Sequence, residues 1–207
     1  MYGIYFIAAL SYLLGSIPFG YLLVRIFRGE DVRQSGSGNI GATNVSRRSP
    51  VLGAITLLLD ALKGAGAVAI TSSLATHVHR EAVPYSALSM AALFAVLGHM
   101  FPLWLKFRGG KGVATAMGSF AMIAPKALLV AIGIFVIIVV LFRFVSLGSI
   151  IAVASFPLLV FAMRAYGNSR LALEFMILTS LLIIAKHLEN IRRLLAGTEN
   201  RLGKKPA

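Results

Sequence analysis

Seven apolar stretches separated by short polar ones set the pattern of the chain: residues 4–26, 51–74, 84–105, 113–124, 126–142, 147–163 and 171–187. Crossing the hydrocarbon core of a bilayer takes about 20 predominantly apolar residues in helical form. No stretch alternates with a period of two, so the pattern predicts helices rather than barrel strands. The fourth stretch has 12 residues, which at ~1.5 Å each reach about 18 Å. It reads as a thin span or a re-entrant half-helix. The expected fold is an all-α integral membrane protein of about seven transmembrane helices, one polytopic domain over 1–207 with a loose basic tail at 198–207.

Composition supports this class. Of 207 residues, 58% are hydrophobic and 13% charged, with mean hydropathy +0.85, whereas soluble domains are about half apolar and a quarter charged. The formal charge of +13 would suggest nucleic acid in a soluble chain. Here it is assigned to loops facing anionic lipid and an anionic substrate, and no nucleic-acid partner is expected. With seven crossings and the N-terminus outside, fifteen basic residues lie inside, against Arg80, Lys126, Arg164 and Arg170 outside and Lys63 within a span. A re-entrant fourth segment changes the split to eleven against eight, so the positive-inside rule favours seven crossings. The loops 28–50, 106–112 and 143–146 and the cytoplasmic C-terminus then share one face. The chain has no cysteine, which removes thiol nucleophiles, disulfides and cysteine metal sites. Four scattered histidines and seven scattered carboxylates show no ligand spacing, so neither a metal nor a cofactor is expected. Tyr5 to Phe27 lacks a basic n-region and a cleavage site and reads as a retained span.

Chemistry concentrates in the inner polar segments. Lys106 to Thr115 places three cations and Gly109, Gly110 and Gly112 between two apolar stretches. Glycines admit an anion close to backbone N–H groups, and a helix starting near Gly112 aims its positive end at the same place. A basic turn and a phosphate cradle stand level on these residues alone; a Walker A loop is excluded by the order of glycine and lysine. The loop Glu30 to Pro50 holds Gly36, Ser37, Gly38, Asn39, Thr43 and Asn44 and ends in Arg47 and Arg48. Hydroxyls and amides suit sugar-like hydroxyls, and arginine takes phosphate bidentately. A functional loop is favoured over a flexible polar connection.

Four further features stand outside these two loops. Asp60 and Lys63 share a helix face three residues apart, first as a structural ion pair and second as substrate electrostatics. His99 is a general base, a phosphate donor or a packing residue. Ser146 follows Arg143 at an inner turn, where it can cap a helix. His187, Asn190 and Leu194 line one helical face as a site wall, or belong to an amphipathic interfacial helix.

These pieces together resemble the bacterial acyl-phosphate-dependent glycerol-3-phosphate acyltransferases. Gly36-Ser37-Gly38-Asn39, Gly41-Ala42-Thr43-Asn44 and Arg47, with Asp60 and Lys63-Gly64, resemble the family's first motif region. Gly98-His99, Phe101-Pro102 and Gly109 to Thr115 resemble the second, and His187, Glu189-Asn190-Ile191 and Gly197-Thr198-Glu199 the third. Arg143 to Ser146 fits a further segment. Arg108 stands where the family often has lysine, and Leu188 where an arginine is frequent.

The resemblance implies acyl transfer from a fatty acyl phosphate to the 1-hydroxyl of glycerol 3-phosphate, giving lysophosphatidic acid and phosphate at the cytoplasmic face of the bacterial inner membrane. An acyl phosphate is already activated, so no thiol, metal or nucleotide is required. The roles expected are Gly109, Gly110, Lys111 and Gly112 around the acyl phosphate, and Ser37, Arg47, His187 and Asn190 around glycerol 3-phosphate. Asn39, Thr43 and Asn44 shape the pocket, and His99 and Ser146 are added to the same site. No Ser–His–Asp arrangement is legible, so transfer is expected to be direct. Membrane lipid surrounds the protein, and an acyl-phosphate-forming enzyme is a candidate partner at the inner face. A transporter of phosphorylated metabolites and a metal-dependent phosphatidyl transferase are the competing classes. The first usually shows midplane sites in paired repeats, and the second a carboxylate-rich metal site.

Overall fold

The computed structural model describes residues 2–79 and 83–203; Arg80 and residues 204–207 of the basic tail lie outside the described residues. The first apolar stretch forms two helices, α1 (Tyr2–Gly15) and α2 (Phe19–Arg28). The break falls at Pro18, which has no N–H to donate and whose ring clashes with a continuing helix. The polar loop that follows contains a 3-10 turn (Val32–Gln34) and the short α3 (Ala42–Ser46). The chain continues as α4 (Pro50–His79), α5 (Tyr85–Met100), α6 (Val113–Ile123), α7 (Pro125–Phe142), α8 (Val145–Ala162), α9 (Arg170–Ala185) and α10 (Leu188–Leu195). All seven expected segments are helical, and no strand occurs among the described residues. By length and composition, Ile4–Arg28, Pro50–Leu74, Tyr85–Leu105, Pro125–Phe142 and Val145–Ala162 qualify as spans. The pair α9 and α10, bent by 52°, makes a sixth, and α6 is a shorter apolar helix of 11 residues.

Small residues hold the bundle together. Lipid is as apolar as a leucine side chain, so helices in it associate through close packing and hydrogen bonds rather than through escape from water. A Cβ built on Gly118 of α6 would fall 1.8 Å from the Ala61 carbonyl oxygen of α4, and one on Gly64 would fall 2.1 Å from that of Thr115. At the α1–α5 crossing the same approach is made by Gly15 against Ala95 and by Gly98 against Tyr12. Around these contacts a core of Val96, Met100, Phe120, Phe156, Met176 and Ile183 fills the centre, with Phe120 stacked on Phe156 at 4.3 Å.

A second, smaller core sits under the polar loop. Val32, Ile40 and Val45 of the loop pack on Val24, Leu52 and Leu105 and are nearly inaccessible to solvent. The loop is therefore a folded cover. The part of the C-terminal segment that is described, up to residue 203, makes contacts with the bundle. Gly197 turns the chain at φ +70°, the Leu202 N–H donates to the Arg143 carbonyl at 2.7 Å, and Arg201 lies 5.1 Å from the Phe144 ring centroid. These contacts clamp residues 198–203 across the turn between α7 and α8.

The α4–α6 crossing yields a prediction. Gly118→Val overpacks it at a cost of about 1–3 kcal/mol, lowering the apparent unfolding midpoint in detergent by several degrees. Gly66→Val, on the same α4 but with no atom within 4 Å of the added carbon, leaves the midpoint unchanged. Equal losses in thermal unfolding would contradict the packing account.

Candidate active site

The polar loop, the glycine loop and the α9–α10 bend converge on a cleft of ≈ 330 Å³. It is lined by Ser37 and Asn39 from the first, Gly109 and Lys111 from the second, and Ala185, Lys186, Leu188, Glu189, Asn190 and Arg193 from the third. Three regions far apart in sequence thus meet in one place.

The first wall is organised by Asn44, which is 2% exposed. Its Nδ2 donates to the carbonyls of Val32 (3.1 Å), Ser35 (3.0 Å) and Asn39 (2.8 Å), while its Oδ1 accepts from the Ser37 N–H at 2.9 Å. One buried amide therefore satisfies four loop backbone groups, which keeps a polar loop folded over an apolar core. Asn39 accepts from the Gly41 N–H at 2.9 Å, a local turn. Gly36 adopts φ +60°, and a Cβ there would strike Asn44 and approach the Arg47 guanidinium within 3.1 Å. Ser37 is thereby presented at the cleft with its hydroxyl exposed, and Arg47 sits beside it without an ion pair among the described residues.

The glycine loop rests on the end of α5. The Gly109 N–H donates to the Met100 carbonyl (3.1 Å) and the Gly110 N–H to that of His99 (3.0 Å). This corrects the expectation that both glycines offer their N–H groups to a phosphate, because both donors are already used. Their lack of side chains serves close approach: a Cβ on Gly110 would lie 1.9 Å from His99 Nε2, and one on Gly109 2.1 Å from the His99 carbonyl oxygen. The N–H groups of Lys111 and Gly112 have no partner among the described residues. Gly112, at φ +87°, caps α6 and starts a helix at the cleft edge.

His99 itself lies beneath the loop, 4% exposed, and does not line the cleft. Its Nδ1 is 2.9 Å from Lys63 Nζ, and an ammonium only donates, so Nδ1 accepts and the ring proton resides on Nε2. Lys63 Nζ also donates to the Ile17 carbonyl at 2.8 Å and is ion-paired with Asp60 Oδ1 at 2.7 Å. Asp60 and Lys63 form a buried ion pair, the contact their spacing suggests, and the geometry of His99 favours packing.

The third wall faces Lys111, whose Nζ donates to Asn190 Oδ1 across the cleft. Burial pushes the Lys111 ammonium down to about 8, with the nearby Glu199 carboxylate opposing and the Arg193 and Arg47 cations adding to the depression. Asn190 Nδ2 donates to Glu199 Oε1 (2.8 Å), which also accepts from the Ser146 hydroxyl (2.9 Å), and Arg193 Nε donates to Glu199 Oε2 (2.7 Å). Burial works against the Glu199 carboxylate, but these three donors outweigh it and hold the group below its ordinary range. The clamp turns the Asn190 carbonyl oxygen towards Lys111. Ser146 is the second residue of α8 and not its cap, which is Phe144, so the capping alternative is replaced by a hydrogen bond to Glu199. His187 is 3% exposed at the α9–α10 bend, and its Nδ1 donates to the Ile183 carbonyl at 2.8 Å, leaving Nε2 as an acceptor.

Of the residues nominated from sequence, Ser37, Asn39, Gly109, Lys111 and Asn190 line the cleft. Gly36, Gly38, Asn44 and Arg47 support or flank its first wall, Thr43 is exposed on α3, and Gly110, Gly112, His99, Ser146 and His187 lie behind the surface. Lys186, Glu189 and Arg193 were not nominated. Nor was Glu199, although an acid two residues after a helix-ending glycine, in a chain of +13, was a usable signal. Among the described residues no group of His, Asp and Glu is arranged to hold a metal ion.

The chain is similar in sequence and in fold to known proteins. A family model described as glycerol-3-phosphate acyltransferase matches residues 5–197. Proteins named glycerol-3-phosphate acyltransferase from Nitrobacter winogradskyi and Ehrlichia canis are 48% and 44% identical, each covering 95% of this chain and 95% and 97% of their own. The crystal structure of PlsY, an integral membrane glycerol 3-phosphate acyltransferase, in its glycerol 3-phosphate form aligns with TM-score 0.86 at 38% identity, over 97% of this chain and 96% of that one. Its lysophosphatidic acid form aligns with TM-score 0.83 at 37% identity, over 97% and 95%. With its sequence and its fold in accord almost from end to end, the chain belongs to the glycerol-3-phosphate acyltransferase family.

Proposed function

We propose that the protein transfers the acyl group of a fatty acyl phosphate to the 1-hydroxyl of glycerol 3-phosphate. The products are lysophosphatidic acid and phosphate, in the first acylation of phospholipid synthesis. The observation that carries this is the cation set at one cleft: Lys111 and Lys186 in its wall, Arg193 beside them, and Arg47 against Gly36. Two phosphorylated substrates need such a site, and a metal-free one needs it most. Family membership and the named ligands of the PlsY crystal forms support the acceptor and product. The cleft is placed at the cytoplasmic face, with the N-terminus outside, on the strength of the basic-residue distribution.

In this reading Lys111 and the free N–H groups of Lys111 and Gly112 receive the acyl-phosphate phosphoryl group. They stabilise the charge that gathers on it as the carbonyl carbon–oxygen bond breaks. Ser37, Arg47 and Asn190 hold glycerol 3-phosphate with its 1-hydroxyl against the carbonyl carbon. The hydroxyl proton passes to a substrate phosphate, since His187 lies behind the cleft surface and burial pushes its imidazole down to about 4. The acyl group moves directly between the two substrates, without an acyl-enzyme.

Two outcomes test the reading. Purified protein given palmitoyl phosphate releases phosphate only when glycerol 3-phosphate is present, and palmitoyl-CoA is inert as donor. No release from palmitoyl phosphate, with flux of glycerol 3-phosphate into proteoliposomes, would instead indicate a transporter.

The second concerns pH. Lys111 is charged below about 8 and neutral above it, so kcat/KM for the acyl phosphate falls by about tenfold per unit on the alkaline side. Lys111→Arg keeps its charge and moves that limb upward, even at lower absolute turnover. Steady-state phosphate release between about pH 6 and about pH 10 checks this, and an unmoved limb removes Lys111 from the assignment.

A further inference from the structure

Two of the candidate spans, Ile4–Arg28 and Tyr85–Leu105, end side by side. Leu105 packs with Val24 in the small core under the polar loop, which fixes the two ends against each other. Both ends carry the same short pattern. One closes on Arg25-Ile26-Phe27-Arg28, and the other on Leu103-Trp104-Leu105 followed by Lys106-Phe107-Arg108. Every residue of these two runs except Leu105 is exposed, Trp104 by 64% and Phe27 by 67%. The turn that presents Phe107 is preset. Lys106 and Phe107 hold φ of +52° and +62°, a left-handed conformation that side chains of this size adopt at a cost. The Lys106, Phe107 and Arg108 N–H groups donate to the carbonyls of Leu103 (3.2 Å), Pro102 (3.0 Å) and Leu105 (3.1 Å), which keeps the turn closed. Its charges are left over. Lys106 and Arg108 have no ion pair among the described residues, and the Arg25 and Arg28 guanidiniums donate to the neutral carbonyls of Gly29 (3.0 Å) and Arg48 (3.1 Å). The carboxylates that come next, Glu30 and Asp31, are engaged by Arg48 and Arg33.

Exposed aromatic rings interleaved with unpaired cations, at the ends of spans, suit the boundary between acyl chains and headgroups. We propose that these two span ends form a docking surface for anionic phospholipid headgroups. Phe27, Trp104 and Phe107 enter the boundary, and Arg28, Lys106 and Arg108 meet the phosphodiester charges. The cations favour lipids of net negative charge, because a zwitterionic headgroup offsets its phosphate with its own ammonium. An acidic protein would satisfy the cations equally well, but the rings among them sit at the depth where spans end and lipid is the neighbour. The surface runs into the cleft: Arg108 is followed directly by Gly109, which lines it. Docking on lipid therefore sets the depth at which the glycine loop lies.

Trp104 is the one tryptophan of the chain, so its fluorescence reports on this surface without any substitution. The full-length protein is placed in nanodiscs of equal parts phosphatidylcholine and phosphatidylglycerol, with bromine near the carbonyl end of the chains of one lipid at a time. Bromine quenches indole emission only at close range. Brominated phosphatidylglycerol is expected to quench more strongly, with a relative association of about fivefold over phosphatidylcholine, the attraction of one basic residue near an anionic surface. Salt at about 1 M should bring that ratio close to unity. So should Lys106→Gln with Arg108→Gln, while bromine still quenches because the aromatic contact remains. Equal quenching by the two lipids in the parent protein, or a preference that survives the double substitution or the salt, overturns the proposal. Quenching by aqueous acrylamide in place of bromine would put Trp104 in water or under a partner protein, and overturns it too. Inorganic phosphate that abolishes the preference at constant ionic strength would replace the lipid surface with a site for a soluble anion.

Discussion

The ammonium of Lys63 lies in the apolar interior, hydrogen-bonded to His99 Nδ1 and the Ile17 carbonyl and ion-paired with Asp60 Oδ1. Each acceptor belongs to a different part of the bundle. Ile17 is at the break that Pro18 imposes between α1 and α2, Asp60 is on α4, and His99 is in the last turn of α5. An uncompensated charge at this depth is costly, and removing one partner of a buried pair is more damaging than replacing the whole set. Two of these contacts run between elements, tying α4 to the α1–α2 break and to the end of α5.

The site is built outward from this point. The His99 ring is the floor on which Gly110 rests, and the His99 and Met100 carbonyls take the two glycine N–H groups. The loop is therefore rigid up to Gly110, and the backbone donors that remain free are those at Lys111 and Gly112. Opposite, Glu199 gathers Ser146, Asn190 and Arg193 onto one carboxylate. That clamp ties α8 to α10 and fixes which end of the Asn190 amide faces Lys111. Supports on both sides thus hold the one lysine that spans the cleft.

The apolar pattern was enough to place all seven helical segments and the single architecture, because a chain in lipid has few other ways to satisfy its backbone. Residues that line the cleft were legible where their type has few other uses at that place, as with Ser37, Lys111 and Asn190. Two kinds of information were not. The break at Pro18 is hidden in an apolar run, since the lysine that satisfies the opened carbonyl comes from another helix. The division of labour among Gly109, Gly110 and Gly112 depends on what packs beneath them, and a glycine that serves close approach looks the same in sequence as one that frees an N–H. Glu199 was missed for a related reason: its partners lie on three separate stretches, and the basic composition around it suggested a solvated tail.

The most direct measurement is turnover of palmitoyl phosphate by Lys111→Ala beside Lys106→Ala, two cations of the same loop. Lys106 is exposed and outside the cleft, whereas Lys111 crosses it to Asn190. Loss of a preorganised charge at the leaving phosphate predicts a fall in kcat/KM of about a hundredfold or more for Lys111→Ala. Lys106→Ala should stay within about twofold of the parent, as expected of a surface charge. Near-parental turnover in Lys111→Ala, or equal losses in the two variants, would contradict the assignment of the cleft.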